Sequence, residues 1–228
     1  MPRARGTLLG WTSPLALSLL AAFLSFWPLA LAAQPRSPES LSLMSAAATK
    51  AGLGDWAGAE DLAKRVLALD DRDSDALYLS ALAAMRLRDE VGPPLEALEL
   101  ARASDTFRYY SSQAARDLQA GLLVRLRRFE SALRLLPGPG AGQSSADILD
   151  PEYRRLRALA YLGEGQTRLA LGELEAGSQR FPGDPVFARI FFRAWARNPA
   201  SEEALGLART FLARLSSLAA ADPDRCQG

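Results

Sequence analysis

The chain has 228 residues, of which 49% are hydrophobic and 23% are charged, and its 27 Lys and Arg residues nearly balance its 26 Asp and Glu residues. This composition is typical of a chain that buries a core, and the near-zero net charge argues against a nucleic-acid-binding protein, which normally carries a basic excess. The absence of histidine excludes Ser-His-Asp and Cys-His catalytic arrangements and most zinc sites. Ala, Leu and Arg are abundant and are good helix formers, so we expect an all-α fold.

Residues 1–32 have the three-part pattern of a secretory signal peptide. Arg3 and Arg5 form a short basic start, an uncharged apolar run follows, and a small-x-small cleavage signature lies at 30–32. The alternative is an uncleaved signal anchor, because the apolar stretch over 8–33 is longer than the roughly 20 residues that span a bilayer. The segment therefore predicts a periplasmic or secreted protein or, if it is retained, an inner-membrane-anchored one.

A short linker is predicted over 33–40, and helical hairpins are predicted over 41–219. The first hairpin turns at Gly54 and Asp55, and its second helix covers 56–69. Polar turn-forming residues end this helix.

The second and third hairpins are more weakly marked. The second turns over 89–92, and two prolines then open its second helix, where the first turn tolerates proline. The third has a long first helix, from about 107 to 126, and a short second helix. An insertion over 137–146, rich in Pro, Gly and Ser, ends that second helix.

The fourth hairpin repeats the spacing of the first. Ala170 and Leu174 follow Gly165 at the same intervals at which Ala59 and Ala63 follow Gly54.

The fifth hairpin is predicted to have helices over 186–197 and 201–218. Its aromatic residues are expected in the core, packed against Leu205, Ala208 and Leu212. The tail over 220–228 is predicted to be disordered, with Cys226 as a free thiol, because a single cysteine cannot form an internal disulfide.

The recurring turn, followed by small residues and by an aromatic residue such as Trp56, resembles the tetratricopeptide repeat (TPR), a helix-turn-helix unit of about 34 residues. The units start near residues 40, 74, 113, 151 and 185. The resemblance implies a right-handed α-solenoid of about five TPR-like antiparallel helix pairs, a fold that usually presents a binding surface to other proteins. A non-repetitive helical bundle is the alternative fold.

The resemblance also implies which residues face a ligand. In TPR proteins the first helix of each pair lines the concave face, and repeat phase carries the ligand-facing positions over to Leu41, Met44, Tyr78, Leu82, Met85, Asp117, Gly121, Arg155, Leu159, Arg189 and Arg193. Arg189, Arg193 and Arg197 are spaced four apart, so they share one helix face and can bind a carboxylate. Alternatively, these arginines pair with acids on neighbouring helices or extend into water. The predicted partner-binding residues are Tyr78, Met85, Asp117, Arg155, Arg189, Arg193 and Arg197.

No pattern in the chain indicates catalysis. It has no phosphate-binding Gly-Lys-Ser/Thr loop, and acidic pairs such as Glu202 and Glu203 are typical of a helix start. We therefore predict no catalytic, cofactor-binding or metal-binding residues and no enzymatic activity.

The predicted function is that of an exported TPR-like scaffold that binds a protein or peptide partner in cell-envelope assembly. Such a protein would bind no nucleic acid and would touch a membrane only through an uncleaved N-terminal segment. The alternative is a membrane-anchored structural subunit that serves as a spacer in a larger envelope complex.

Overall fold

Helices form the architecture of the chain. A computed structural model describes residues 36–138, 150–196 and 202–221, and these ranges contain ten helices and no strands. The helices are α1 (Pro38–Gly52), α2 (Trp56–Leu69), α3 (Ser74–Arg88), α4 (Gly92–Ser104), α5 (Ser112–Arg125), α6 (Phe129–Leu135), α7 (Pro151–Gly163), α8 (Thr167–Arg180), α9 (Pro185–Trp195) and α10 (Glu202–Ala221).

The chain divides into two units, Met1–Pro38 and Glu39–Gly228, and the helices belong to the second apart from the first residue of α1. Several predictions fall outside the described residues: the signal peptide over 1–32, most of the 137–146 insertion, Arg197, and the end of the chain with Cys226. Helix α1 begins at Pro38, inside the segment predicted as a linker.

The helices pack in the order in which they occur. From α2 onward each helix contacts the next, and the first helices also contact one another, α5 with α7 and α7 with α9. Helix α1 joins through Met44 and Ala47, which share a buried cluster with Ala59 and Ala63 of α2. Five consecutive helix pairs, of which the last three have their first helices in contact, form a helical solenoid, which confirms the predicted fold class.

Three of the turns within pairs have the same backbone geometry. Gly54 and Gly165 have φ values of 78° and 74°, in the left-handed region that favours glycine. Arg127 holds the equivalent place between α5 and α6 with a φ of 58°. In each turn the next residue donates its backbone N–H five positions back, at 2.8–3.0 Å, which closes the end of the first helix. The third hairpin therefore has the repeat turn although it lacks the glycine.

The prediction for the first helix of the third pair was wrong at its start. Helix α5 begins at Ser112, about five residues later than the predicted 107. The backbone N–H groups of 108–110 donate instead to the carboxylate of Asp75, which is completely buried in the first turn of α3. Ser74 also fixes this connection, because its hydroxyl accepts a 2.9 Å hydrogen bond from the Thr106 N–H. With their N–H groups satisfied in this way, these residues form a connection and not a helical turn.

The residues of α10 that pack against the aromatic side chains of α9 differ from those predicted. Phe187 and Phe191 of α9 are completely buried, as expected. On α10, however, Leu205 and Leu212 are about half exposed, and Leu207 and Phe211 lie in the core beside Ala208.

Candidate functional site

Two adjoining cavities lie along the first helices. The larger has a volume of about 1120 Å³ and is lined mainly by α7 and α9, with a single residue, Val124, from α5. The smaller, of about 550 Å³, is lined by α3, α5 and α7. Val124, Glu152 and Leu159 line both cavities, so the two adjoin, and we call them together the first-helix groove.

Most of the predicted partner-binding residues line this groove. Tyr78, Met85 and Asp117 line the smaller cavity. Arg155, Arg189 and Arg193 line the larger cavity. Arg197 lies outside the described residues.

Met44, one of the ligand-facing positions implied by the repeat phase, does not face a ligand. Its side chain is completely buried in the cluster between α1, α2 and α3.

The starts of the first helices position the groove side chains. Asp73, Ser111, Asp150 and Asp184 precede α3, α5, α7 and α9, and each side chain accepts a hydrogen bond from a backbone N–H of the first turn. Such caps fix where a helix begins. Tyr78, Arg155 and Arg189 each follow their cap by the same interval, so equivalent positions of successive helices face the same groove.

The larger cavity has a basic end formed by α9. Arg189 and Arg193 are exposed there, and among the described residues no carboxylate forms an ion pair with either guanidinium. Arg155, on α7, is neutralised instead: it donates to Glu152 at 3.0 Å and also pairs with Asp184, the cap of α9. Of these three predicted partner-binding arginines, Arg155 is therefore paired within the protein, whereas Arg189 and Arg193 can bind an anionic ligand.

Apolar side chains from α7 and α9 also line the larger cavity. Ile190 and Trp195 of α9 contribute, together with Leu159 of α7. Trp195 stacks on the buried Phe191, with ring centroids 6.4 Å apart and an interplanar angle of 12°. Phe191 in turn packs against Phe211 of α10 at 5.0 Å, so the last helix supports the groove wall from behind.

The lining of the smaller cavity combines an aromatic ring, that of Tyr78, with a buried acid, Asp117. Tyr78 packs on Tyr110 with ring centroids 4.6 Å apart. Burial raises the pKa of Asp117 to about 7; the positive charge of Arg116 opposes the shift, and a hydrogen bond with Asp150 adds to it. Burial also raises the pKa of the Tyr78 hydroxyl, with the Asp117 carboxylate as a second cause. Near neutral pH the Asp117 carboxyl is therefore only partly ionised.

Sequence reasoning missed several groove residues. Arg127, Ile190 and Trp195 line the larger cavity, but repeat phase selects only set positions of the first helices. An alignment of the three turn sequences places Arg127 at the position equivalent to Gly54 and Gly165. The sequence could therefore have identified Arg127 as a turn residue. No local signal distinguishes Trp195 as a wall residue from a core residue, because its neighbours on α9 are equally aromatic.

No group of three His, Cys, Asp or Glu side chains with the geometry of a metal site occurs within 36–138, 150–196 and 202–221. In the same ranges, no helix combines the length and the apolar character needed to cross a membrane.

Five consecutive helix pairs, with a groove along the first helices of the last four, define a solenoid with the TPR fold. MamA from Desulfovibrio magneticus RS-1, solved from residue 41 to its end, superposes with a TM-score of 0.64 over 80% of this chain and 98% of its own, at 15% identity. YrrB, described as a TPR protein with an unusual peptide-binding site, superposes with a TM-score of 0.57 over 80% of this chain and 86% of its own, at 18% identity. At such identities the similarity shows the fold.

A similar sequence occurs in a longer bacterial protein. An uncharacterized protein of Treponema pallidum (strain Nichols) is 26% identical over 211 residues, which cover 91% of this chain and 26% of that protein. This chain thus spans about a quarter of the length of the curated relative that it matches. No family model matches the chain.

Proposed function

We propose that the protein is an exported, non-enzymatic scaffold that binds a protein or peptide partner in the first-helix groove and acts in cell-envelope assembly. The observation that carries the binding proposal is the adjacency of the two cavities, which together extend across α3, α5, α7 and α9. A groove that runs across successive repeats offers a partner chain several adjacent contact sites, which is how solenoids use their extended surfaces. The peptide-binding site ascribed to YrrB, a protein of the same fold, supports this proposal.

Charge also supports the proposal. Two exposed arginines without acidic partners among the described residues lie beside an apolar wall in the same cavity. Within the scaffold, by contrast, Arg88 pairs with Glu60 at 2.8 Å and Arg157 pairs with Glu173 at 2.9 Å.

Site-specific photo-cross-linking tests the binding proposal. Benzoylphenylalanine in place of Leu159, in the groove, is expected to cross-link a discrete partner in producing cells. The matched control places it at Leu169, which is 52% exposed on α8 and lines neither cavity. A partner captured equally well from both positions, or from neither, would contradict binding in the groove.

The export proposal rests on the signal-peptide pattern of residues 1–32 and has its own test. The intact mass of the protein recovered from producing cells is expected to correspond to a chain that begins near Ala33, in the periplasmic or secreted fraction. A full-length chain in the membrane fraction would instead support the membrane-anchored spacer.

A further inference from the structure

We propose that the first-helix groove binds an extended acidic segment of its partner, with carboxylates on Arg189 and Arg193 and an apolar anchor side chain in the smaller cavity. This inference rests on the proposed function, because it specifies the chemistry of the occupant of the same groove.

The acidic character of the proposed segment is inferred from the positive charge that α9 places in the larger cavity. Arg189 and Arg193 are one helical turn apart, about 6 Å along the axis, so both guanidinium groups extend from one face. Their cavity also contains Arg127, and the acid that lines it, Glu152, already accepts a hydrogen bond from Arg155. The uncompensated charge of this end is therefore positive, and planar guanidinium groups bind carboxylates with two parallel hydrogen bonds.

The apolar part follows from the lining of the smaller cavity. Tyr78, Met85 and Leu118 contribute half-buried apolar surface. The charged side chains in this lining all have partners within the protein: Arg125 with Asp89, Asp117 with Arg116, Asp150 with Gln113 and Glu152 with Arg155. A flexible methionine and an aromatic ring accommodate a large apolar side chain better than a charged one.

The distance between the two ends sets the spacing of the segment. The smaller cavity is centred on α5, α5 packs on α7, and α7 packs on α9. Packed helices lie about 8–10 Å apart, so two such steps cover about 16–20 Å. An extended chain advances about 3.3 Å per residue, so about five or six residues separate the anchor from the carboxylates.

Selection from a random peptide library displayed on phage tests this proposal. The purified protein is compared with Arg189→Glu/Arg193→Glu, with Met85→Gln, and with Arg65→Glu/Arg72→Glu. The last variant has the same change in net charge at exposed arginines that line neither cavity. Circular dichroism melts establish that each variant is folded, and benzoylphenylalanine at Leu159 establishes which selected peptides occupy the groove.

Peptides selected on the unchanged protein are expected to combine Asp or Glu with a large apolar residue about five or six positions away. A synthetic copy is expected to bind Arg189→Glu/Arg193→Glu at least about tenfold more weakly, to bind Arg65→Glu/Arg72→Glu unchanged, and to lose affinity as salt rises. Met85→Gln is expected to select peptides that keep the acids and lose the preference for the apolar residue.

The outcomes separate this inference from the function on which it rests. Groove-bound peptides without an acidic preference, or with affinity unchanged in Arg189→Glu/Arg193→Glu, would overturn the inference and leave the scaffold proposal standing. The absence of any peptide that cross-links from Leu159 would count against both.

Discussion

Asp75 accepts a 2.9 Å hydrogen bond from the backbone N–H of Tyr110, which lies 35 positions further along the chain. The same carboxylate also accepts from Arg108 at 2.9 Å and from Tyr109 at 3.1 Å. These bonds hold the connection between α4 and α5 and set Tyr110 against Tyr78, at the smaller cavity of the groove. One buried acid thus links the start of the second pair to the start of the third.

Asp75→Ala is expected to destabilise the protein by about 3–5 kcal/mol, because it leaves buried N–H groups without their charged acceptor. The free energy of unfolding from urea titration measures the effect. Asp71→Ala, at an exposed turn position, is the control and is expected to change stability by less than about 0.5 kcal/mol. Equal stability of the two variants would show that the Asp75 bonds contribute nothing.

Gly177→Ala is expected to destabilise by about 1–3 kcal/mol, since a Cβ atom there would overlap the ring of Phe187. Phe187 is completely buried and stacks on Phe181 at 6.1 Å, so its ring cannot move aside freely. Gly172 lies in the same helix with nothing within 4 Å of its Cβ position, and Gly172→Ala is expected to stabilise by about 0.5–1 kcal/mol. Thermal melts compare the two alanine variants, and a gain in both would contradict the predicted overlap.

Arg127→Gly is expected to stabilise the protein by up to about 1 kcal/mol, because Arg127 holds a left-handed conformation that costs a non-glycine residue about that much. Gly165→Ala, in the equivalent turn, is expected to destabilise by about 1 kcal/mol for the same reason. Chemical denaturation of both variants checks the opposite signs. Changes of the same sign would mean that the turns are not equivalent in energy.

Stability is expected to fall as the pH rises from about 4 to about 7, through the titration of Asp117. The pKa of this carboxyl is about 7 in the folded protein, against an ordinary value of 3.8, mainly because of burial. In that window the unfolded chain has released the proton and the folded chain still binds it, so each increase in pH favours unfolding. Asp117→Asn removes this dependence, so the free energy of unfolding of this variant, relative to that of the unchanged protein, is expected to rise between about pH 4 and about pH 7. Parallel pH profiles of the free energy of unfolding for the two proteins would rule the shift out.

Much of the fold could be predicted because helix pairs are encoded by local spacing. The predicted helix over 56–69 coincides with α2, and the turn glycines at 54 and 165 have the left-handed backbone that the repeat requires. The positions of Tyr78 and Arg189 in the groove followed from the same phase, since a helix presents set residues to one side.

The sequence by itself determined the helical class, the pairing of neighbouring helices and the concentration of arginine on α9, because each is encoded within a single helix-turn-helix unit. Only the tertiary structure decided that hydrogen bonds to Asp75 delay the start of α5 to Ser112 and that Asp184 neutralises Arg155. It also decided that Leu207 and Phe211, in place of Leu205 and Leu212, complete the core. These outcomes depend on partners about 30 residues away or on the rotation of one helix against another. Hydrophobic periodicity indicates that a helix has a buried face, but the exact rotation and the distant hydrogen-bond partners are set by packing.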